Sequence, residues 1–414
     1  MIATPLRIAG AALVALTLGA CARPGETAPV RRDPLTASDS VKPLPYTGLA
    51  LGMLREVVAR APDSNAFISP LSAGMALSLV YNGASGNTQR EMGALLETGA
   101  LTLGEVNAAN RSLRAALRSD DVELSVANAL WAARGVPLTA EYTERVRRAY
   151  DAEIARVDFT DPATPARING WVSDATRGRI PTLVSAPMDP SLVLFVANAV
   201  YFKGRWADEF RKAATRDLPF LLPDGTRAPR PTMHRTGSYG YLDGDGFRAV
   251  RLPYRGDRLA MYVLLPDSGS SLAALRERLT RERWDAWMTG FARRDVSVAL
   301  PRFRAEGTYP LVEPLRALGM RDAFDSRRAS FRAMLPASYF EGGRNVYVSE
   351  GTQKTWIEVN EEGTEAAAAT GFGISVTSAP PPPVPFVVDR PFLAAVRDDR
   401  TGAILFIGQV TDPG

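Results

Sequence analysis

The sequence predicts a mixed α+β fold, and three observations predict it. Apolar residues recur at helical spacing through the first part of the chain, from Leu49 to about Arg118. Strand-like runs dominate later. Among them Leu192 to Phe202, LVLFVANAVYF, is nearly continuous apolar sequence, the signature of a strand buried on both faces. No internal repeat and no proline-rich linker divides residues 46–414, so one domain is expected there. With 46% hydrophobic and 23% charged residues in 414, the chain can bury a sizeable core.

In order, Leu49 to Arg60 has helical spacing. Ser69 and Pro70 are suited to open a second helix, as a cap and a first-turn residue. Met75, Leu79 and Tyr81 mark that helix as substantially buried, and Asn82-Gly83 and Ser85-Gly86 break it. Another helix begins at Thr88. Glu105 to Arg118 is a further helix, with Arg111, Arg114 and Arg118 on one face. That stripe reads as a solvated face or as a polyanion-binding surface. Leu124 to Ala132 reads as a strand and Thr139 to Tyr150 as a helix. Ile168 to Val184 reads as a helix that runs into Gly178 and ends before Pro181. Phe247 to Pro266 holds two short strands about Gly256-Asp257, and Leu272 to Trp287 is a helix. Val296 to Phe303 is a strand, and Leu311 to Gly319 a helix stopped by its glycine. Val346 to Asn360 is a long strand. Phe386 to Val388, Phe392 to Arg397 and Ile404 to Gly408 close the chain as strands.

A net charge of +4 gives no basis for nucleic-acid binding. The single cysteine, Cys21, excludes an intramolecular disulfide, and with the single histidine, His234, it excludes the usual Cys/His zinc cages. No G-x-S-x-G accompanies His234, which reads as a structural or surface residue. No cofactor, metal site or catalytic residue is expected. At the N-terminus Arg7 precedes the apolar stretch Ile8 to Leu18, too short to span a bilayer. It ends in Leu18-Gly19-Ala20-Cys21, which resembles a bacterial lipobox. Residues 1–20 are therefore expected to be a lipoprotein signal and Cys21 the lipidated residue. Residues 21–45, rich in Pro, Thr, Ser and charge, are expected to be a flexible tether. Ala22, rather than Asp, is compatible with the outer membrane, facing either the periplasm or the surface; a secreted protein is the alternative.

The segment from Glu358 to Pro385, EVNEEGTEAAAATGFGISVTSAPPPPVP, is unusually long for a loop. Read as a strand, it places Thr364, Ala366, Ala368, Thr370, Phe372, Ile374 and Val376 on one face. Glu365, Ala367, Ala369, Gly371, Gly373 and Ser375 fall on the other. The first set is small at its start and larger and apolar later, the pattern of a half-buried strand. Helix propensity offers a second reading of Glu365 to Ala369, with Thr364 as cap and Gly371 as stop.

Six segments together resemble the serpin family, in family order from about Leu49 to Pro413. They are NAFISPLSAGMALSLVYNGASGNTQREM, INGWVSDATRGRIPTLV, LFVANAVYFKGRWADEF, VSVALPRFRAEGTYPLVEPLRALGM, WIEVNEEGTEAAAATG and DRPFLAAVRDDRTGAILFIGQV. The resemblance implies three β-sheets with about eight or nine helices, and a monomer. It implies inhibition of a serine protease by suicide trapping, in which a cleaved reactive loop inserts into the central sheet. The inhibitor itself is then not an enzyme. A non-inhibitory binding protein is the first alternative, and a periplasmic hydrolase a remoter one.

Carried over residue by residue, the hinge is Glu361, Glu362, Gly363, Thr364, Glu365, Ala366, Ala367, Ala368, Ala369 and Thr370. The reactive bond is Thr377-Ser378, fourteen residues after Gly363. Small residues there, and no Arg or Lys between Gly363 and Pro385, imply a protease with a small or aliphatic pocket, elastase-like or subtilisin-like. Ser69, Ser72 and Asn198 match the shutter where the central sheet opens. Gln353 stands where many relatives carry a histidine, so pH gating through that position is not expected. Glu361 matches a hinge carboxylate and Arg302 its basic partner. Arg111, Arg114 and Arg118 fall on the helix that binds glycosaminoglycan in some relatives.

Overall fold

The computed structural model describes residues 44–118, 122–362 and 381–414. The first part is mainly helical: α1 (Thr47–Arg60), β1 (Ala66–Ile68), α2 (Pro70–Tyr81), α3 (Gly86–Leu95) and α4 (Leu103–Leu117). Then come β2 (Val122–Ala133), α5 (Ala140–Tyr150), β3 (Glu153–Val157), α6 (Thr164–Ala175) and β4 (Leu194–Gly204). The middle holds β5 (Arg216–Leu221), β6 (Arg227–Gly244), β7 (Phe247–Pro253), β8 (Leu259–Pro266), α7 (Leu272–Glu277) and α8 (Arg281–Gly290). The last part is β9 (Ala292–Pro301), β10 (Phe303–Pro310), α9 (Val312–Ala317), β11 (Val348–Val359), β12 (Val384–Val387), β13 (Phe392–Asp398) and β14 (Ile404–Val410).

The ladders form two sheets among the described residues. One has five strands in the order β10-β11-β4-β2-β3. The other has nine, ordered β1-β14-β13-β8-β7-β6-β9-β12 with β5 beside β6. Three sheets were expected. The 18-residue β6 pairs with β5 through its first part and with β7 through its last, and so stitches two into one.

Every residue of α2 is buried, as an all-round apolar helix requires. In β4 the period-two rule places Leu194, Val196, Val200 and Phe202 in the main core. Phe195, Ala197, Ala199 and Tyr201 face a smaller core under α6, with Ile168 and Val172. The apolar run is thus a strand covered on both faces. Where β1 joins β14, a side chain at Gly408 would place its Cβ 2.1 Å from the Ala66 carbonyl oxygen, so only glycine fits.

Several boundaries differ from expectation. Ser69 occupies the N-cap position of α2, but its hydroxyl donates to the Leu405 carbonyl at 2.6 Å instead of capping. The Ile168–Val184 helix starts at Thr164 and stops at Ala175, before Arg177 and Gly178 turn with positive φ. Leu272 to Trp287 is two helices, because Thr280 accepts from the Arg283 N–H and starts α8 afresh. The expected strand 296–303 ends at Pro301, with Phe303 opening β10. The strands β3, β5, β6 and β10 had no clear sequence signal.

Candidate functional site at the seam between two parallel strands

The central pair of the five-stranded sheet, β4 and β11, runs parallel, with Leu194 to Phe202 opposite Val348 to Ile357. Parallel neighbours cannot be joined by a tight turn, and these come from segments far apart in the chain. At mid-seam four polar residues lie in one cross-strand row. Tyr309 is opposite Gln353, Gln353 opposite Asn198, and Asn198 opposite Asn128.

Asn198 and Gln353 are fully buried, so each polar atom needs a partner. The Gln353 amide donates to Asn198 Oδ1 at 2.6 Å and to the Ser69 carbonyl at 2.9 Å. Its own oxygen accepts the Ser69 N–H at 2.9 Å. Asn198 Nδ2 donates to Asn128 Oδ1 at 2.6 Å and to the Ser72 hydroxyl. Thr355 Oγ1 donates to the Phe67 carbonyl at 2.6 Å, and the Phe67 N–H donates to the Tyr309 hydroxyl at 2.9 Å. The seam is thereby pinned to the turn between β1 and α2. The four expected shutter residues come together as one network. Burial pushes the Tyr309 hydroxyl above its usual pKa, so nothing in the row titrates near neutrality.

At its end the seam meets a cluster of charges. Glu361 is 2% exposed. Its carboxylate accepts from Arg302 Nε at 2.7 Å and from the Thr215 hydroxyl. Arg302 lies between β9 and β10 rather than within a strand. Burial pushes the Glu361 carboxyl up, but the bonds from Arg302 and Thr215 outweigh it and hold the group below the usual range. Next to it, Glu362 pairs with Lys212, which lowers the carboxylate and raises the ammonium. Trp206 Nε1 donates to the Asn360 carbonyl at 2.9 Å. These contacts fix the point from which the chain leaves β11.

Gly363 to Thr370 and the Thr377-Ser378 bond lie outside the described residues, as does Cys21. Arg111 and Arg118 are exposed, whereas Arg114 is half-buried and donates to the Ala149 carbonyl and to Asp151, each at 3.0 Å. Among the described residues no cluster of three or more His, Cys, Asp or Glu could hold a metal. No described helix is long and apolar enough to cross a membrane.

Sequence reasoning missed Asn128, Tyr309, Thr355, Thr215 and Lys212. For Asn128 a signal existed. Val126-Ala127-Asn128-Ala129 repeats as Val196-Ala197-Asn198-Ala199, and antiparallel pairing sets the two asparagines opposite each other. The other four are brought in only by tertiary packing.

The profile of the family "Serpin (serine protease inhibitor)" matches residues 45–413. The chain is 35% identical over 380 residues to the leukocyte elastase inhibitor of Homo sapiens, covering 89% of this chain and 98% of that one. It is 32% identical over 370 residues to the glia-derived nexin of Homo sapiens, covering 87% and 91%. Similar solved structures include native protease nexin-1 with heparin, at TM-score 0.77 and 31% identity, covering 89% of this chain and 99% of that one. Another is the thermophilic serpin tengpin in its native state, at TM-score 0.80 and 26% identity, covering 94% and 97%. With this fold, this register and a family match over nearly the whole described body, the chain belongs to the serpin family.

Proposed function

We propose that the protein inhibits a serine protease by suicide trapping, with its reactive loop entering the seam between β4 and β11. One observation carries the proposal: the closed parallel seam with a strand-competent segment leaving its end. Chain that reverses after Glu362 and re-enters the seam runs antiparallel to both neighbours. One parallel ladder is then exchanged for two antiparallel ones, which are slightly more stable per residue and more numerous. The small side chains of Thr364, Ala366, Ala368 and Thr370 on one face limit resistance at entry. Protease acylated at Thr377-Ser378 would be carried along by the inserting strand.

Membership of a family of serine protease inhibitors supports the inhibitory reading. The small residues at Val376 to Ala379, and a relative named for leukocyte elastase, support an elastase-like or subtilisin-like target. Incubation with such a protease should give a covalent, denaturant-resistant complex, with the cut mapped by mass spectrometry between Val376 and Ala379. Clean cleavage without complex would instead support a non-inhibitory binding protein. Turnover of an ester substrate is what the hydrolase alternative requires. Thr364→Arg would bury an unpaired charge at several kcal/mol. That variant should be cleaved without forming complex; unchanged trapping stoichiometry would refute insertion.

A lipid anchor at Cys21, for which Leu18-Gly19-Ala20-Cys21 is the support, would hold the protein at the cell envelope. Cys21→Ser should abolish acyl labelling and release the protein from membranes. A polyanion role rests on Arg111 and Arg118, the exposed members of the stripe, and on a solved relative carrying heparin. Elution from immobilised heparin in the loading buffer would dismiss it.

A further inference from the structure

Between α9 and β11 the chain makes a surface segment, Asp325 to Tyr347, that reads DSRRASFRAMLPASYFEGGRNVY. It carries four arginines against two acids, and one of the acids, Asp325, is taken by Arg328 at 3.1 Å. Arg327, Arg332 and Arg344 are exposed and form no ion pair among the described residues. A short 3-10 turn, Ala337–Gly343, sets the rings of Tyr339 and Phe340 edge to face, their centroids 5.7 Å apart. Gly342 and Gly343 then turn with φ of 73° and 76°, a left-handed pair that suits glycine. They bring Arg344 back over the Tyr339 ring, 4.9 Å from its centroid. Arg332 lies over the Phe340 ring at the same distance. Both rings are half-buried against the core beneath them. Asn345 fastens the two ends of the segment, donating to the Ser326 and Ala329 carbonyls at 3.0 and 2.9 Å.

Two aromatic rings, each covered by a cation that no carboxylate holds, match the chemistry of a membrane interface. In water the guanidiniums lie on the ring faces. Against a bilayer they can swing to anionic headgroups while the rings settle at the same depth. The placement agrees. The Ser85 N–H donates to the Ser330 carbonyl at 2.9 Å, and Met334 packs on Gly83, so the segment rests on the C-terminal end of α2. Tyr46, near the start of the described chain, packs on Gly74 of the same helix, about 14 Å back along its axis. The 22 residues from Ala22 to Pro43, which join Cys21 to that point, span at most about 75 Å. A lipid on Cys21 therefore keeps this segment within reach of the bilayer. The segment leads into Val348, the first residue of β11, and the hinge leaves the other end of that 12-residue strand, about 40 Å away.

We propose that Arg332, Tyr339, Phe340 and Arg344 form a docking surface for an anionic phospholipid bilayer, holding the hinge end of β11 away from the membrane. The proposal rests on the cell-envelope reading above for the bilayer that it meets. Docking presents the reactive loop outward, where a protease can reach it. It also couples to trapping. A loop that enters the seam from the hinge end carries its acylated terminus toward Val348, so a trapped protease arrives at the docking pole and displaces the lipid.

The test uses the full chain with Cys21→Ser, which carries no lipid, so that binding reads the surface alone. Acyl labelling of the wild type reads the anchor separately. Vesicles of phosphatidylethanolamine and phosphatidylglycerol in equal parts should sediment the protein at low salt and less of it at high salt. Phosphatidylcholine vesicles should leave it in solution. Arg332→Ala and Arg344→Ala should each weaken binding about fivefold, and together about twenty-fivefold, with urea midpoints matched so that unfolding is not read as lost binding. Arg294→Ala, exposed on β9, is the control and should bind as before. A polarity-sensitive dye attached through Ser338→Cys on the same chain should shift to the blue with the anionic vesicles. No sedimentation with those vesicles, or equal sedimentation of the double variant, would overturn the docking surface and leave the anchor standing. A dye shift with the target protease and none with vesicles would make the segment a protein contact and overturn lipid docking too. Absence of acyl labelling with vesicle binding intact would overturn the anchor alone.

Discussion

Two strand pairs lie deep in this molecule and are held in opposite ways. β13 and β14 are antiparallel and close in sequence, and every residue in them is buried. From Phe392 to Val396 and from Ile404 to Ile407 their side chains are apolar. Their cohesion is dispersion and water exclusion over a large area. β4 and β11 are parallel and distant in sequence, and Asn198, Gln353 and Thr355 sit along their join. To the apolar packing on both faces their join adds short, directional side-chain bonds to β2 and to the residues around the β1–α2 turn. Apolar packing resists separation at every point, whereas a row of hydrogen bonds can be broken and made again with new partners. Under the proposed insertion mechanism it is the second pair that parts.

The sharpest way to test the contrast is to damage each pair by comparable amounts. Leu393→Ala in β13 should cost about 2–5 kcal/mol of global stability. It should appear as a lower urea midpoint with little change in the fraction of inhibitor that traps protease. Asn198→Ala leaves partners in Asn128, Ser72 and Gln353 unsatisfied and should cost about 1–3 kcal/mol. It should also shift the trapping fraction and the rate at which a synthetic peptide of residues 364–376 anneals into the seam. If both variants changed only the urea midpoint, the contrast would be structural and not functional.

A smaller effect is expected at the hinge end. Glu361→Gln weakens the bond to Arg302 and should cost about 1–2 kcal/mol, discounted because Arg302 is 43% exposed. The native Glu361 carboxyl is held below its ordinary value, so its contribution is present above the unfolded carboxylate pKa, about 4.3. It is lost as pH falls through the lower folded value. The stability gap between wild type and variant should hold from pH 8 to about 5 and close below it in acid unfolding curves. The smallest effect is the absence of one. With Gln353 in the polar row, annealing should be flat between about pH 6 and 8, whereas Gln353→His should open faster as pH falls and the buried imidazole charges.

Much of this was legible from sequence where the signal is local. The nearly continuous apolar run from Leu192 to Phe202 announced a strand covered on both faces, and β4 is one. Glu361 and Arg302 were paired in advance and meet at 2.7 Å. What escaped depends on distance in the chain. Phe303 to Pro310, FRAEGTYP, carries glycine, two charges and a proline, yet pairs as β10 because β11 offers it a partner. Tyr309 gains its place in the polar row only through that pairing. The arginine stripe shows the same limit. Spacing put three arginines on one face, but whether a face is solvated is decided by what packs there, and Arg114 is claimed by the end of α5 and Asp151.

The joining of β1 to β14 bears on how the chain is made. Ala66 to Ile68 bond to Ile407 to Gln409, so an early segment is completed only by one made far later in the chain. Between them β14 also supplies the wall on which β13 rests. Until those residues leave the ribosome, the nine-stranded sheet lacks an interior strand and the β1–α2 turn lacks its support. The growing polypeptide therefore cannot finish folding piecemeal from its N-terminal end, as chains rich in local contacts can. A long interval with the sheet unfinished follows from this topology, and with it a need for protection from aggregation during synthesis.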